Sequence, residues 1–197
     1  MIHQVKTSRR DVSADIIRSV VIRSKQRLKI SKPFNIVLVN PEIPPNTGNI
    51  ARLSAATSTK LHLIHPLGFE INDKQLKRAG LDYWHLLDIE EHKSWEEFSI
   101  KHLIEVPHRS AFTWYISTRG EKNIWDVEFN PGDYLIFGSE TNGLNEEILN
   151  ENKEQIVSIP MNGKARSLNL STAVGIVLYE ALRQVTVNKK IFEVVPI

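Results

Sequence analysis

Two polar loops hold the residues whose types and spacing could do chemistry, and each follows an apolar run. In QIVSIPMNGKARSLNLSTAVGIVLYEALRQ, Gln155 to Gln184, the strand-like residues Ile156, Val157 and Ile159 lead into a loop carrying Gly163, Lys164 and Arg166, and an apolar helix begins near Ser171. In DYLIFGSETNGLNEEIL, Tyr134 to Phe137 reads as a buried strand, Gly138 ends it, and Glu140 follows in the next loop. Open parallel sheets bind their ligands outside the carboxyl ends of the strands. Gly138 with Glu140, the segment Met161 to Ser167, and Thr118 after a preceding strand all occupy such positions, so three loops are expected to converge on one cofactor-sized site. The alternative is a pair of ordinary connections, in which Gly138 turns the chain and Glu140 caps a helix.

Familiar nucleotide signatures are absent. No GxGxxG is present, and Gly163-Lys164 lacks the preceding glycine and following Ser/Thr of a phosphate-binding P-loop. A metal site is not expected. The chain has no cysteine, and its only close histidine pair, His62 and His65, falls three apart in a predicted strand, which points the two side chains to opposite faces.

The elements that must position these loops read as an α/β domain. NIVLV, Asn35 to Val39, is continuously apolar, as a strand covered on both faces requires. After it, Pro41, Pro44 and Pro45 predict an extended loop, with Asn46 or Thr47 capping a helix that carries Ile50, Leu53 and Arg52. Lys60 to Pro66 reads as the next strand, and strand, helix and strand form a right-handed crossover unit. A short helix from Asp73 to Gly80, a strand over Trp84 to Ile89, a helix over Ser94 to His102 and a strand over Ser110 to Thr118 follow. A last short helix is expected at about Asn145 to Leu149. The final helix is apolar around most of its circumference, so burial on several sides is expected, and Gly175 within it suggests close packing of another backbone.

Charge is distributed unevenly. Of 25 Lys/Arg and 23 Asp/Glu, residues 1–32 hold nine basic and two acidic ones, a local charge of +7 that leaves −5 for the remainder. A basic arm on a mildly acidic body suits a polyanionic partner, although a solvated tail or a leader would read the same way. Val12, Ile16 and Val20 are spaced for one face of a short helix. No apolar run approaches the roughly 18 residues that span a bilayer. No secretory signal is evident, so a cytoplasmic location is the default expectation.

Read together, NIVLVNPEIPPNTGNIARL, DYLIFGSETNGL and IPMNGKARSLNLSTAVGIVLYEALRQ resemble the three ordered motifs of the SPOUT methyltransferases, and most closely the TrmL (YibK-like) branch. With HPLGFEINDKQLKRAGLDYW the resemblance covers about Phe34 to Val187. It implies a parallel sheet with helices on both faces, a C-terminal deep trefoil knot, and a homodimer packed through the C-terminal helix. It divides the chain into a basic extension (1–33), the SPOUT domain (34–187) and a tail (188–197). The implied activity is 2′-O-methylation of the wobble nucleotide of tRNA, cytidine or uridine, with S-adenosyl-L-methionine as donor.

By the same resemblance Ile116, Gly138, Ile159 and Ser167 contact the cofactor, with Met161, Leu168 and Asn169 close by. Arg52, Glu140 and Asn46 match the polar positions facing the reaction centre, Arg52 being placed to act on the ribose hydroxyl. Arg166 and Tyr179 match positions near the dimer interface for which the resemblance implies tRNA contact, and Tyr179 reads equally well as a buried core aromatic. The 33-residue extension departs from the family pattern. The other readings are methylation of ribosomal RNA or another tRNA site, and a catalytically silent RNA-binding module.

Overall fold

The computed structural model describes residues 26–28, 34–70, 87–104, 111–189 and 192–194. The expected helices over Asp73 to Gly80 and around Val12 to Val20 lie outside the described residues.

Seven strands form one sheet in which every pairing is parallel. They are β2 (Asn35–Val39), β3 (Lys60–Ile64), β4 (Ile89–His92), β5 (Thr113–Ile116), β6 (Lys122–Asn123), β7 (Tyr134–Phe137) and β8 (Ile156–Ser158), in spatial order β4-β3-β2-β7-β5-β8-β6. A separate antiparallel pair joins β1 (Gln26–Leu28) to β9 (Phe192–Val194), linking the N-terminal extension to the C-terminal tail.

Alternation along the central strands divides the core into two layers, because successive side chains leave opposite faces of a sheet. Ile36 and Leu38 of β2, Leu61 and Leu63 of β3 and Leu135 and Phe137 of β7 share one cluster with Ile50 and Ala51 of α1 (Pro44–Thr57). Val174, Val177, Leu178, Ala181 and Leu182 of α4 (Leu170–Lys189) complete that layer. Val37, Val39, Ile64 and Ile136 point the other way. They pack on Phe98 of α2 (Trp95–Ser99) and on Ile148 and Leu149 of α3 (Glu146–Glu151). The continuous apolar character of NIVLV thus serves two helical layers at once.

Local signals account for most element ends. Ser94 caps α2 by accepting from the Glu97 backbone N–H at 3.2 Å, and Asn145 caps α3 by accepting from Ile148 N–H at 2.8 Å. Each such cap contributes about 1 kcal/mol. The chain continues from α2 as one π-helical stretch, Ile100–Ile104, which extends the helix expected over Ser94 to His102. At the base of the sheet the fully buried Asp133 is satisfied by Phe112 N–H, Asn130 N–H and Trp114 Nε1–H at 2.7, 2.9 and 3.1 Å.

Three expectations are corrected. The helix after β2 begins at Pro44, with Pro44 and Pro45 in its first turn and no side-chain cap from Asn46 or Thr47. Proline suits a first turn because the N–H it lacks would have no partner there. Of the strand placed over Trp84 to Ile89, positions 84–86 lie outside the described residues, Leu87 and Asp88 are not in a strand, and the described strand runs Ile89–His92, where the polar sequence IEEH pairs with β3. No backbone packs closely on Gly175 of α4: among the described residues a Cβ there would meet nothing within 4 Å, and the nearby Ile176 and Tyr179 are 38% and 57% exposed.

Candidate active site

The loops following β2, β5, β7 and β8 meet at the carboxyl ends of the strands around a cavity of about 480 Å³. Ten of the twelve expected site residues line it: Asn46, Ile116, Gly138, Glu140, Ile159, Met161, Arg166, Ser167, Leu168 and Asn169. Thr118, the third strand-end position, lies there too. Arg52 and Tyr179 are not part of the lining; both are exposed, on α1 and α4.

A chain of side-chain hydrogen bonds ties these loops together. Glu140 accepts at both oxygens: Oε2 from Glu42 N–H at 2.8 Å, and Oε1 from Ile43 N–H at 3.1 Å and from Asn46 Nδ2 at 2.9 Å. The Glu42 and Ile43 amides lie where α1 begins, so a carboxylate there also complements the helix dipole. Asn46, 5% exposed, uses its own Oδ1 to accept from Asn169 Nδ2 at 2.9 Å. Asn169 completes the chain by turning Oδ1 to Ser171 Oγ and Thr172 N–H at the start of α4. Glu42 answers from the other side, its Oε2 accepting from Thr141 N–H at 3.2 Å and from Thr141 Oγ1 at 2.5 Å.

Glu140 is therefore a clasp. It neither caps α3, which Asn145 does, nor stands alone in the cavity. Charge-assisted hydrogen bonds of this kind are roughly twice as strong as neutral ones, and this carboxylate gathers several from segments nearly a hundred residues apart.

Gly138 has a specific steric role. A Cβ there would lie 2.0 Å from the Gly143 carbonyl carbon and 2.1 Å from the Leu144 nitrogen. Only glycine lets the 139–143 turn fold back this closely, and the turn is closed by reciprocal Ser139 and Gly143 backbone hydrogen bonds of 3.2 and 2.9 Å. Gly143 itself adopts φ +70, a left-handed conformation. The result is a tight backbone floor with exposed peptide edges beside the apolar walls of Ile116, Leu144, Ile159 and Leu168.

Arg119, at the mouth of the cavity, escaped the sequence reading. It directly follows Thr118, the last residue of the run expected to be a strand, and it pairs with Glu146 of α3.

Comparison with known proteins fits this geometry. Residues 33–179 match the SpoU rRNA Methylase family. The chain belongs to that family. It is 50% identical over 152 residues, 77% of this chain and 95% of the relative, to a tRNA (cytidine(34)-2′-O)-methyltransferase of Saccharophagus degradans. An enzyme of the same description from Burkholderia ambifaria is 47% identical over the same shares of both chains. A solved structure concerned with 2-OH methylation of C/U34 on tRNA superposes with a TM-score of 0.71 at 46% identity, covering 78% of this chain and 96% of that one. The SpoU methyltransferase AviRb from Streptomyces viridochromogenes, solved in complex with AdoMet, superposes with a TM-score of 0.64 at 26% identity, covering 80% of this chain and 60% of its own.

A second polar cluster lies in the sheet layer opposite α1 and α4, among side chains that do not line the cavity. His62 of β3, Glu90 and His92 of β4, and His102 of the π-helical stretch converge beneath Phe98. His62 and His92 are fully or almost fully buried, their rings stacked with His62 Nδ1 3.0 Å from His92 Nε2. Burial, and then the neighbouring His102, lowers the pKa of His62 to about 3. Burial also lowers His92 and His102, the latter against the pull of the Glu90 hydrogen bond. Burial opposes the charge on Glu90, but hydrogen bonds from Lys101, Lys60 and His102 outweigh it and hold the carboxyl below its ordinary range. Looking only for histidines close in sequence could not find this convergence: His62 and His102 are forty positions apart. His65, which was paired with His62 in that search, bonds Glu91 instead.

Proposed function

We propose that the chain is an S-adenosylmethionine-dependent tRNA 2′-O-methyltransferase acting on the wobble nucleotide, cytidine or uridine 34. The observation that carries this reading is the cavity at the strand ends, closed by the Glu140–Asn46–Asn169 clasp. The relatives named for cytidine 34 methylation, covered almost end to end, supply the substrate.

The cavity suits the cofactor. Its volume falls in the range of small-molecule sites, and its apolar walls and exposed loop backbone match a ligand with one flat heterocycle and several polar edges. Ile116, Gly138, Ile159 and Ser167 would hold it, with Met161, Leu168 and Asn169 alongside. S-adenosylmethionine, when bound, supplies an electrophilic methyl group on a sulfonium. The protein's remaining task is to bring one ribose hydroxyl into line and assist loss of its proton.

Glu140 and Asn46 serve that task by fixing the start of α1, the helix that also carries Arg52. Arg52 is the group assigned to the hydroxyl. A guanidinium stays protonated, so it acts by stabilising the developing alkoxide as the proton passes to water and the sulfonium leaves as a neutral thioether. Arg166 at the cavity and Tyr179 on α4 are placed for contacts with tRNA, and the basic segment 1–32 adds phosphate contacts. Ile176 and Tyr179, the exposed apolar residues of α4, form the surface for a homodimer through that helix. The deep trefoil knot of the SPOUT fold belongs to the same reading: the 159–169 segment is lodged among the loops following β2, β5 and β7, with Asn169 bonded to Asn46. Among the described residues no helix is long and apolar enough to cross a membrane.

The test is transfer of labelled methyl from S-adenosylmethionine to unmodified total tRNA, with nuclease mapping of the labelled nucleotide. Label on the 2′-oxygen of nucleotide 34 is the expected result. Label on ribosomal RNA alone, or on neither RNA, would refute the substrate.

A further inference from the structure

We propose that His62, His92 and His102, with Glu90 as fourth ligand, form a binding site for a divalent transition ion of the zinc class. The ion would bridge β3, β4 and the π-helical turn.

Geometry is the first argument. One ligand atom from each of the four residues can be chosen so that all lie within 4.8 Å of one another. His62 Nδ1 is 3.0 Å from His92 Nε2, and His102 Nε2 is 3.2 Å from Glu90 Oε1. His92 Nε2 to Glu90 Oε1 and His62 Nδ1 to Glu90 Oε2 are both 3.9 Å. Ligands on a tetrahedral zinc, with bonds of about 2.0–2.1 Å, sit roughly 3.3 Å from each other. These four separations lie around that value, and the set as a whole, within 4.8 Å, must draw together for all four atoms to reach one ion.

Donor chemistry is the second. Three imidazoles and one carboxylate suit zinc, cobalt and nickel, and are too nitrogen-rich for magnesium or calcium. Two neutral imidazole nitrogens facing each other at hydrogen-bond distance share a single proton, and a metal can take its place by binding both lone pairs as that proton moves to the other nitrogen of its own ring. His62, fully buried, also leaves Nε2 without a partner among the described residues. Among the described residues the one hydrogen bond of this buried imidazole is to the neighbouring ring, and a metal bond at Nδ1 would hold the ring more strongly than that hydrogen bond does.

Two lysines hold Glu90, and their placement is compatible with an ion. Lys60 sits on Oε2 at 2.6 Å and would remain there, orienting the carboxylate from outside the coordination sphere. Lys101 sits on Oε1 at 2.6 Å, on a side chain 60% exposed, and swings into solvent when Oε1 is taken. His102, 14% exposed, gives the ion its approach from the surface. Since β3 and β4 are already paired, the ion would join the sheet edge to the turn containing His102. The inference does not depend on the RNA activity.

The test uses the full chain freed of metal by chelation and titrated with Co²⁺, followed by displacement with Zn²⁺. The expected result is one saturating ion per chain with the intense visible absorption of tetrahedral cobalt. His102→Ala, at the rim and the least disruptive ligand to remove, should weaken binding by at least about 100-fold. His65→Ala should leave it unchanged. Absence of the absorption, or equal binding by His102→Ala, overturns the proposal. Should His102→Ala fail to fold, long-range imidazole ¹⁵N spectra of the unmutated protein decide. Zn²⁺ must shift one ring nitrogen on each of His62, His92 and His102, and shifts confined to other histidines overturn the site.

Discussion

Two polar clusters are built into this sheet, and they spend their polar groups differently. Around the cavity every link of the clasp has a partner: Glu140 serves the Glu42 and Ile43 amides and Asn46, Asn46 serves Asn169, and Asn169 serves the start of α4. On the opposite face His62 is buried as deeply as any core leucine yet keeps one ring nitrogen unpaired among the described residues. The first arrangement fixes backbone around an open space. The second fills its space with side chains and leaves a polar debt at its centre. Polar residues that hold loops apart mark a place for a ligand-sized guest, whereas polar residues whose ring nitrogens and carboxylate oxygens converge to about 3 Å suit an ion or a proton.

The comparison can be broken most severely at the reacting hydroxyl. Arg52→Ala should lower methyl transfer by about 100- to 1000-fold, the scale of losing one charge-stabilising group, while S-adenosylmethionine binding measured by calorimetry stays nearly intact. Unchanged turnover would remove Arg52 from the chemistry.

Gly138→Ala comes next. Its Cβ would meet backbone at about 2 Å, which no rotamer change relieves. A loss of roughly 3 kcal/mol in urea unfolding, together with loss of cofactor binding, is expected.

Glu140→Ala removes the acceptor from two amides and one carboxamide and should cost roughly 2–3 kcal/mol. Because Glu140 acts through the loops it holds, cofactor affinity should fall with stability and Glu140→Gln should recover part of both. A fall in turnover alone would make Glu140 a direct participant.

Acid should find the second cluster. The folded-state pKa of His62, about 3, lies below the ordinary value of 6.5, so its contribution is fully present above pH 6.5 and is lost as pH falls from there toward 3. His92 and His102 shift in the same direction, with Lys60, Glu90 and Tyr134 the other polar neighbours. In metal-free protein, stability should drop by about 2 kcal/mol between pH 7 and pH 5 from His62 alone. In His62→Gln that slope should flatten, and an unaltered slope would contradict the burial argument.

The smallest effect is at the exposed face of α4. Tyr179→Asp should shift sedimentation toward monomer with little change in the unfolding midpoint of the isolated chain, since Tyr179 is more than half exposed.

How much of this was legible follows from how local each signal is. NIVLV and YLIF announced β2 and β7 at their observed bounds, because a doubly covered strand must be apolar throughout. The helices expected from Ser94 and from about Asn145 begin there, each held by a cap that acts within three residues. The start of α1 was misplaced because three prolines suggested an extended segment, although two of them suit a first turn. IEEH read as polar because an edge strand needs no apolar alternation. The two-residue β6 and the β1–β9 pair carry too little pattern to be seen.

At the site, ten residues were placed at the cavity by motif resemblance, but the bonding among them was not foreseeable. The link from Asn46 to Asn169 spans 123 positions. The His62, His92 and His102 cluster needed the sheet register of β3 beside β4, where His62 stands next to Glu90, and no spacing rule within one segment contains that.

The most direct measurement is an amide chemical-shift map of the ¹⁵N-labelled chain as S-adenosylmethionine is added. The account predicts shifts at Ile116, Gly138, Ser167, Leu168 and Asn169, carried through the clasp to Glu42 and Ile43, with His62 and His92 unmoved. Shifts centred on β3 and β4, or none at the three loops, would contradict the assignment of the cavity as the methyl-transfer site.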